Sequence, residues 1–310
     1  MVVDGTIVIY QIAGSTLKIP LLFSISAMSL LNQTCWVVGG VGVIGRGIAK
    51  SLLQAGATVI VNSRSIQRLE KFSEDLDHPD RLYTVHGSLL PGYASKTVEE
   101  TLRALPLNHV VAHGAVRYWA EQRAGYDETH SMISASQGKI LQMSPEEFRI
   151  SASHLASLHF SAAQELIPRI QFSNGTASYT FVTGDGNGHP GGKRSAFGEI
   201  NAHHVWGLSA AIRSEPLEKV NCREVRVELA VNRPEEERKR DPRPRPLSDD
   251  IGTLCAGLTS NADVSIHNDA GELIRVFDNE SLESMLTKYG NFLEDESMRP
   301  IPETKEQRAL

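Results

Sequence analysis

A chain of 310 residues with 41% apolar residues is long enough to bury a full core, and one large α/β domain with tails is its simplest division. A formal net charge of −6 with no clustered basic face argues against a nucleic-acid partner. Cys35, Cys222 and Cys255 stand alone without metal-ligand spacing, which predicts a reducing, cytoplasmic setting and no bound metal.

Residues 1–28 do not fit the rest. The apolar run Ile19-Pro20-Leu21-Leu22-Phe23-Ser24-Ile25 is too short and too interrupted to cross a bilayer, so no membrane association is expected. A signal peptide would want positive charge ahead of that run, yet Lys18 alone supplies it and Asp4 opposes it. A dispensable extension is the expected reading, with a lead-in from Met28 to the first buried strand; a disordered or surface-packed arm is the other.

The most informative stretch follows. A buried strand from Cys35 to Val38 meets Gly39-Gly40-Val41-Gly42-Val43-Ile44-Gly45 and continues as a helical pattern to Leu53. Glycines there let the backbone turn sharply and approach a pyrophosphate, and the helix aims its first N–H groups at the phosphates. A second strand, Ala57 to Val61, completes a β-α-β unit of the right length, so Gly39, Gly40, Gly42, Ile44 and Gly45 are read as a dinucleotide cradle. The end of that second strand selects the dinucleotide. An acidic residue would bind the ribose 2′-hydroxyl of NAD; here Asn62-Ser63-Arg64 stands instead. Arg64 can grip a 2′-phosphate and Ser63 can donate to it, which points to NADP(H).

Elements then alternate: a helix over Ser65–Leu76, a strand over Arg81–His86, a helix over Ser95–Leu105 and a strand over Asn108–His113. A long connection, Val116 to Ser144, has the length of a lid or substrate wall. Ser144-Pro145-Glu146-Glu147 opens a helix expected to reach about Ile170. A strand over Ser178–Thr183, a helix over Gly198–Glu215, a strand over Glu224–Val231 and a helix over Ser248–Leu258 come next. A hairpin over Val264–Phe277, turning at Asn268-Asp269-Ala270-Gly271, closes the pattern. The mixed-sign run from Arg233 to Pro246 reads as a solvated loop, and Glu294 to Leu310 as disordered.

From Ser29 to about Phe277 the chain resembles the short-chain dehydrogenase/reductase family. The glycine motif, Asn62-Ser63-Arg64, the strand ending His113-Gly114-Ala115, the helix ending Leu166-Ile167-Pro168, Phe181-Val182-Thr183-Gly184 and Gly207-Leu208 fall in the family's order. The resemblance implies a single Rossmann-type doubly wound parallel sheet over 29–277, followed by a C-terminal helix and tail over 278–310. It adds His113 and Gly114 to the cofactor-binding set. It also implies a small-molecule substrate; monomer and homo-oligomer both stay open, the helices Ser144–Ile170 and Gly198–Glu215 being those that pair in family dimers.

The family's catalytic tetrad, in which the Tyr is acid or base for the substrate oxygen and the Lys lowers its pKa while holding the nicotinamide ribose, has no counterpart. Its Ser position falls at Gly184 or Asp185, its Tyr-x-x-x-Lys frame at Gly198 and Ala202 or at Phe197 and Asn201, and its helix Asn near Leu155. Carbonyl reduction by that tetrad is not expected, although hydride transfer needs only a bound cofactor and a positioned acceptor. Three residues are candidate replacements: Asp185 as proton donor or iminium counter-ion, Arg149 as a clamp for a polar substrate group, and His154 as a proton relay. Asp185 as a turn former, Arg149 as a salt-bridge partner of Glu146 or Glu147, and His154 as a structural histidine are the competing readings.

The expected function is NADP(H)-dependent reduction of an imine, iminium or activated double bond. The chain is similar to degenerate fungal-type family members in which a Pro/Gly-rich loop, here His189-Pro190-Gly191-Gly192, replaces the Tyr/Lys segment. Some of those serve in alkaloid biosynthesis, a branch of secondary metabolism, coupling imine reduction to a (4+2) ring closure. Cyclisation or isomerisation with little net redox, and cofactor binding without catalysis, are the alternatives.

Overall fold

A computed structural model describes residues 30–77, 79–113, 141, 144–171, 177–184, 196–229, 246–261 and 272–290. The N-terminal extension, the long connection after His113, the Pro/Gly-rich loop, the charge run and the tail lie outside them.

Strand and helix alternate from the first described residues: β1 (Thr34–Val38), α1 (Val43–Gln54), β2 (Thr58–Ser63), α2 (Ile66–Glu74), β3 (Leu82–His86), α3 (Ala94–Leu102) and β4 (His109–Ala112). The second half continues with α4 (Pro145–Leu166), β5 (Ser178–Gly184), α5 (Ala196–Arg213), β6 (Asn221–Val227), α6 (Leu247–Ser260), β7 (Glu272–Val276) and α7 (Asn279–Tyr289). The seven strands form one parallel sheet in the order β3-β2-β1-β4-β5-β6-β7. This is the Rossmann-type doubly wound sheet expected from the sequence. Its order reverses between β1 and β4, and the crevice beyond their carboxyl ends is where such sheets bind ligands.

Strand alternation builds two cores. Cys35, Val37, Val59, Val61, Val111, Val182, Val225 and Val227 face one layer, where α1, α2, α6 and α7 cover them. Trp36, Val38, Ile60, Val110, Tyr179 and Phe181 face the other, covered by α3, α4 and α5. Side chains of one strand point alternately to the two faces, so strands buried on both sides read as continuous apolar runs.

The α1–α6 crossing is close enough to exclude side chains. A Cβ on Gly47 would overlap the Ser248 carbonyl, and one on Gly252 would overlap the Gly47 carbonyl. Lys50 Nζ meets Asp249 Oδ2 at 2.7 Å beside it. The crossing anchors the helix that carries the glycine turn.

The hairpin expectation is met in part. The second arm exists as β7, but it joins the sheet parallel to β6, with α6 lying between them in the chain. Alternation marks a strand without naming its partner. The expected first arm and turn lie outside the described residues.

Candidate functional site

The glycine turn has the geometry of a phosphate cradle. Gly39 takes a positive φ of 75°, a conformation that side chains disfavour. Gly40 N–H donates to Val37 O at 3.3 Å, and Gly42 N–H to Gly39 O at 3.1 Å. A Cβ on Gly45 would overlap the Gly39 carbonyl oxygen, and one on Gly40 would press against both Val61 methyls at 2.7 and 2.8 Å. Gly42 is the N-cap of α1, with no side-chain cap and no acidic residue in the first turn. The first helical bond runs from Arg46 N–H to Gly42 O, 2.8 Å. The N–H groups of Val43, Ile44 and Gly45 precede it and have no acceptor within the helix. Such a terminus, at the point where the strand order reverses, accepts an anion. The Ile44 side chain packs half-buried against the core.

Arg46, on the first turn of α1, is engaged by Asp75 at Oδ2 (3.1 Å) and at the carbonyl (2.9 Å). The ends of β2 and β3 supply a second region. Asn62 Oδ1 accepts from Trp36 Nε1 at 3.0 Å, and Asn62 Nδ2 donates to Gly87 O at 3.4 Å, so this side chain ties β2 to β1 and to the end of β3. Ser63 is buried, and its Oγ accepts from Ser65 N–H at 3.2 Å. Arg64 is exposed and forms no ion pair among the described residues. Its carbonyl is held by His86 Nε2 at 3.1 Å. His86 carries no signal of this role in the sequence; only the β2–β3 register sets it opposite Ser63. The first turn of α2, beside Arg64, also lacks acidic side chains.

On the other side of the switch point, His113 caps β4. Its N–H donates to Val38 O at 2.9 Å, and its Nδ1 lies 3.3 Å from Val182 O. Burial holds its pKa below the ordinary histidine range, and the Val182 carbonyl opposes that shift. Gly114, its expected companion, and Asp185 lie outside the described residues.

Beneath the crevice lies a buried charge network that no local pattern announced. Glu224 is fully buried; its Oε1 accepts from Thr183 Oγ1 at 2.8 Å and from Arg226 Nε at 2.9 Å. Its Oε2 accepts from Ser209 Oγ at 2.9 Å and Arg213 Nη2 at 3.3 Å. Arg226 also lies 4.6 Å from the centre of the Trp206 ring. The network binds β5, β6 and α5 into one unit.

The helices α4 and α5, where the resemblance places part of the family's tetrad, are tied together by polar side chains. Asn201 is fully buried on α5; its Oδ1 accepts from Leu155 N–H at 3.0 Å, and its Nδ2 donates to Ser151 O at 2.8 Å. Those two α4 groups are the pair that an α-helix would join directly. One turn on, His204 Nδ1 donates to Ala152 O at 2.6 Å. Asn201, one of the two positions where the resemblance places the family's Lys, therefore bonds to the α4 backbone. Of the three candidate replacements, Arg149 is exposed on the first turns of α4 and is gripped by Glu146 through Nε (2.8 Å) and Nη2 (2.6 Å). That pairing holds the Glu146 carboxyl below its ordinary pKa. His154 is half-buried on the same helix.

A sequence model of the family "NADP oxidoreductase coenzyme F420-dependent" matches residues 36–104, the stretch from β1 past α3. A curated relative, "Short chain dehydrogenase/reductase dpmpG" of Macrophomina phaseolina (strain MS6), is 37% identical over 71 residues. That match spans 23% of this chain and 38% of the relative. Two solved structures align over most of the fold. The "Pseudomonas aeruginosa RhlG/NADP active-site complex" gives a TM-score of 0.62 at 16% identity, covering 83% of this chain and 99% of that one. A Brucella melitensis "Short-chain dehydrogenase/reductase SDR:Glucose/ribitol dehydrogenase" gives 0.59 at 19% identity, covering 81% and 97%. No helix among the described residues is long and apolar enough to cross a membrane. Glycine turn, seven-stranded order and structural neighbours agree: the chain has the fold of the short-chain dehydrogenase/reductases, NAD(P)-binding oxidoreductases, and resembles one of them in sequence over 71 residues.

Proposed function

We propose that this chain is an NADP(H)-dependent oxidoreductase of the short-chain dehydrogenase type. Its substituted catalytic site reduces an imine, iminium or activated double bond in a small molecule of secondary metabolism. The observation that carries the reading is the open N-terminus of α1 beside the exposed Arg64, which together fit a dinucleotide bearing a 2′-phosphate.

Gly39, Gly40, Gly42 and Gly45 would hold the pyrophosphate, Ser63 and Arg64 the 2′-phosphate, and His113 with Gly114 the opposite nucleoside. Ile44 would close the cradle, and Asn62 would fix the strand ends that present Arg64. When bound, the cofactor supplies a hydride. What distinguishes the site is the lack of the family's Ser, Tyr and Lys, whose positions fall at Gly184 or Asp185, at Gly198 or Phe197, and at Ala202 or Asn201. An iminium already carries the charge that a carbonyl acquires only on protonation, so its reduction needs least from the missing groups. Asp185, one residue past β5, would serve as counter-ion to that cation. Arg149, once released from Glu146, and His154 would act from α4.

The test is to incubate the full chain with NADPH and, separately, NADH in the presence of cyclic iminium, enone and ketone substrates, and to analyse the products by mass spectrometry. Reduced product from an iminium with NADPH supports the proposal. Rearranged product with cofactor unchanged favours cyclisation or isomerisation, and tight NADPH binding with no product from any class favours the non-catalytic alternative.

A further inference from the structure

We propose that His113 holds a hydroxyl of the nicotinamide-side ribose through Nε2, taking over the ribose-holding task that the resemblance assigns to a lysine on α5. This rests on the NADP(H) reading and deepens it. Three observations carry it.

The first is the tautomer. A carbonyl oxygen only accepts, so the approach of His113 Nδ1 to Val182 O puts the ring proton on Nδ1. In a neutral imidazole the lone pair then sits on Nε2, which is an acceptor for a hydroxyl. Burial favours the neutral ring, and only the Val182 carbonyl works against it.

The second is position. His113 is bonded through its N–H to β1 and through its ring to β5, which places it across the reversal of strand order at the carboxyl edge of the sheet. The glycine turn begins one residue after Val38, the acceptor of that N–H. With the pyrophosphate on α1 and the adenosine half towards Arg64, the other nucleoside runs over the end of β4. His113 is the last described side chain there, half-buried and already fixed at two points. Fixing an acceptor before the ligand arrives lowers the entropy cost of binding.

The third is the loss of the alternative. In one register the family's Lys frame falls on Ala202, which has no polar side chain, and in the other on Asn201, whose carboxamide bridges Leu155 and Ser151 on α4. Neither is a cation reaching for a ribose.

The experiment is nitrogen-15 NMR of the full chain labelled at histidine, with His113 signals assigned by their loss in His113→Gln. The free protein should show Nδ1 protonated and Nε2 bare. Saturating NADPH should move the Nε2 resonance towards that of a hydrogen-bonded nitrogen. Adenosine 2′,5′-bisphosphate, which carries only the adenosine half, should not. By calorimetry His113→Gln should weaken NADPH about tenfold and leave the bisphosphate unchanged. A proton on Nε2 in the free protein, an unmoved Nε2 resonance with NADPH bound, or equal shifts from both ligands would overturn the assignment of His113 alone. No calorimetric binding of NADPH to the wild-type chain would overturn the cofactor reading and this inference with it.

Discussion

Asn201 shows how a single buried side chain can tie two helices together. Its carboxamide supplies one acceptor and one donor to α4 groups that would otherwise pair with each other, and it does so without exposure to solvent. Asn201→Lys, which restores the family's residue in that register, would bury an ammonium against the Leu155 N–H. It should therefore destabilise the fold by several kcal/mol and gain no activity. Asn201→Leu should cost about 1–3 kcal/mol for each backbone group left without a partner. Urea denaturation reads both, and an Asn201→Lys protein as stable as wild type would remove the bridging role. Asp185 belongs to the same scale. If it is the counter-ion of a cationic substrate, Asp185→Ala lowers turnover about a hundredfold while NADPH affinity stays within a few-fold, as steady-state rates and calorimetry together would show. Unchanged turnover would make it a turn former.

Elements are held together by interactions that sequence patterns express unequally. The glycine turn was legible because glycines 39, 40, 42 and 45 lie within a few residues between an apolar strand and an amphipathic helix. Strand and helix positions followed from apolar runs and their periods, with α5 displaced by two residues at its start, Ala196 against the expected Gly198, and β6 by three, Asn221 against the expected Glu224. The Glu224 network was not legible. Its members, Thr183, Ser209, Arg213 and Arg226, come from three elements, and nothing in any one of them marks a buried carboxylate. His86 beside Arg64 was hidden for the same reason, since only the β2–β3 register brings them together. Glu224→Gln would leave two guanidinium groups facing each other across a neutral amide, at a cost of about 3–5 kcal/mol. Arg149→Ala breaks only an exposed pair and should leave stability unchanged. Equal denaturation midpoints for Glu224→Gln and wild type would show that the network does not hold α5 to the sheet.

For the molecule as a whole, stability should depend on pH through a histidine far from the cradle. His109, fully buried at the start of β4, bonds Ser178 Oγ at 2.9 Å through Nδ1 and the Gln33 amide oxygen through Nε2. Burial, with Arg223 adding to it, pushes its pKa down to about 3 from 6.5. Between those values the unfolded chain binds a proton that the folded chain refuses. The contribution of His109 is therefore complete above pH 6.5 and is lost as pH falls, at a limiting slope of about 1.4 kcal/mol per pH unit. His113 shifts in the same direction. Denaturation at about pH 7.5, 6.5 and 5.5 should show this loss, and His109→Gln should flatten it; an equal slope in the variant would contradict the assignment.

Calorimetric titration of the full chain with NADPH and NADH decides whether the crevice takes a dinucleotide with a 2′-phosphate. NADPH should bind the more tightly. Arg64→Asp should weaken it by about 2–3 kcal/mol, because a charge-assisted hydrogen bond to the phosphate gives way to a carboxylate that repels it, and should leave NADH nearly unchanged. Equal affinity for the two cofactors, or an Arg64→Asp protein that binds NADPH as well as wild type, would contradict this reading of the crevice.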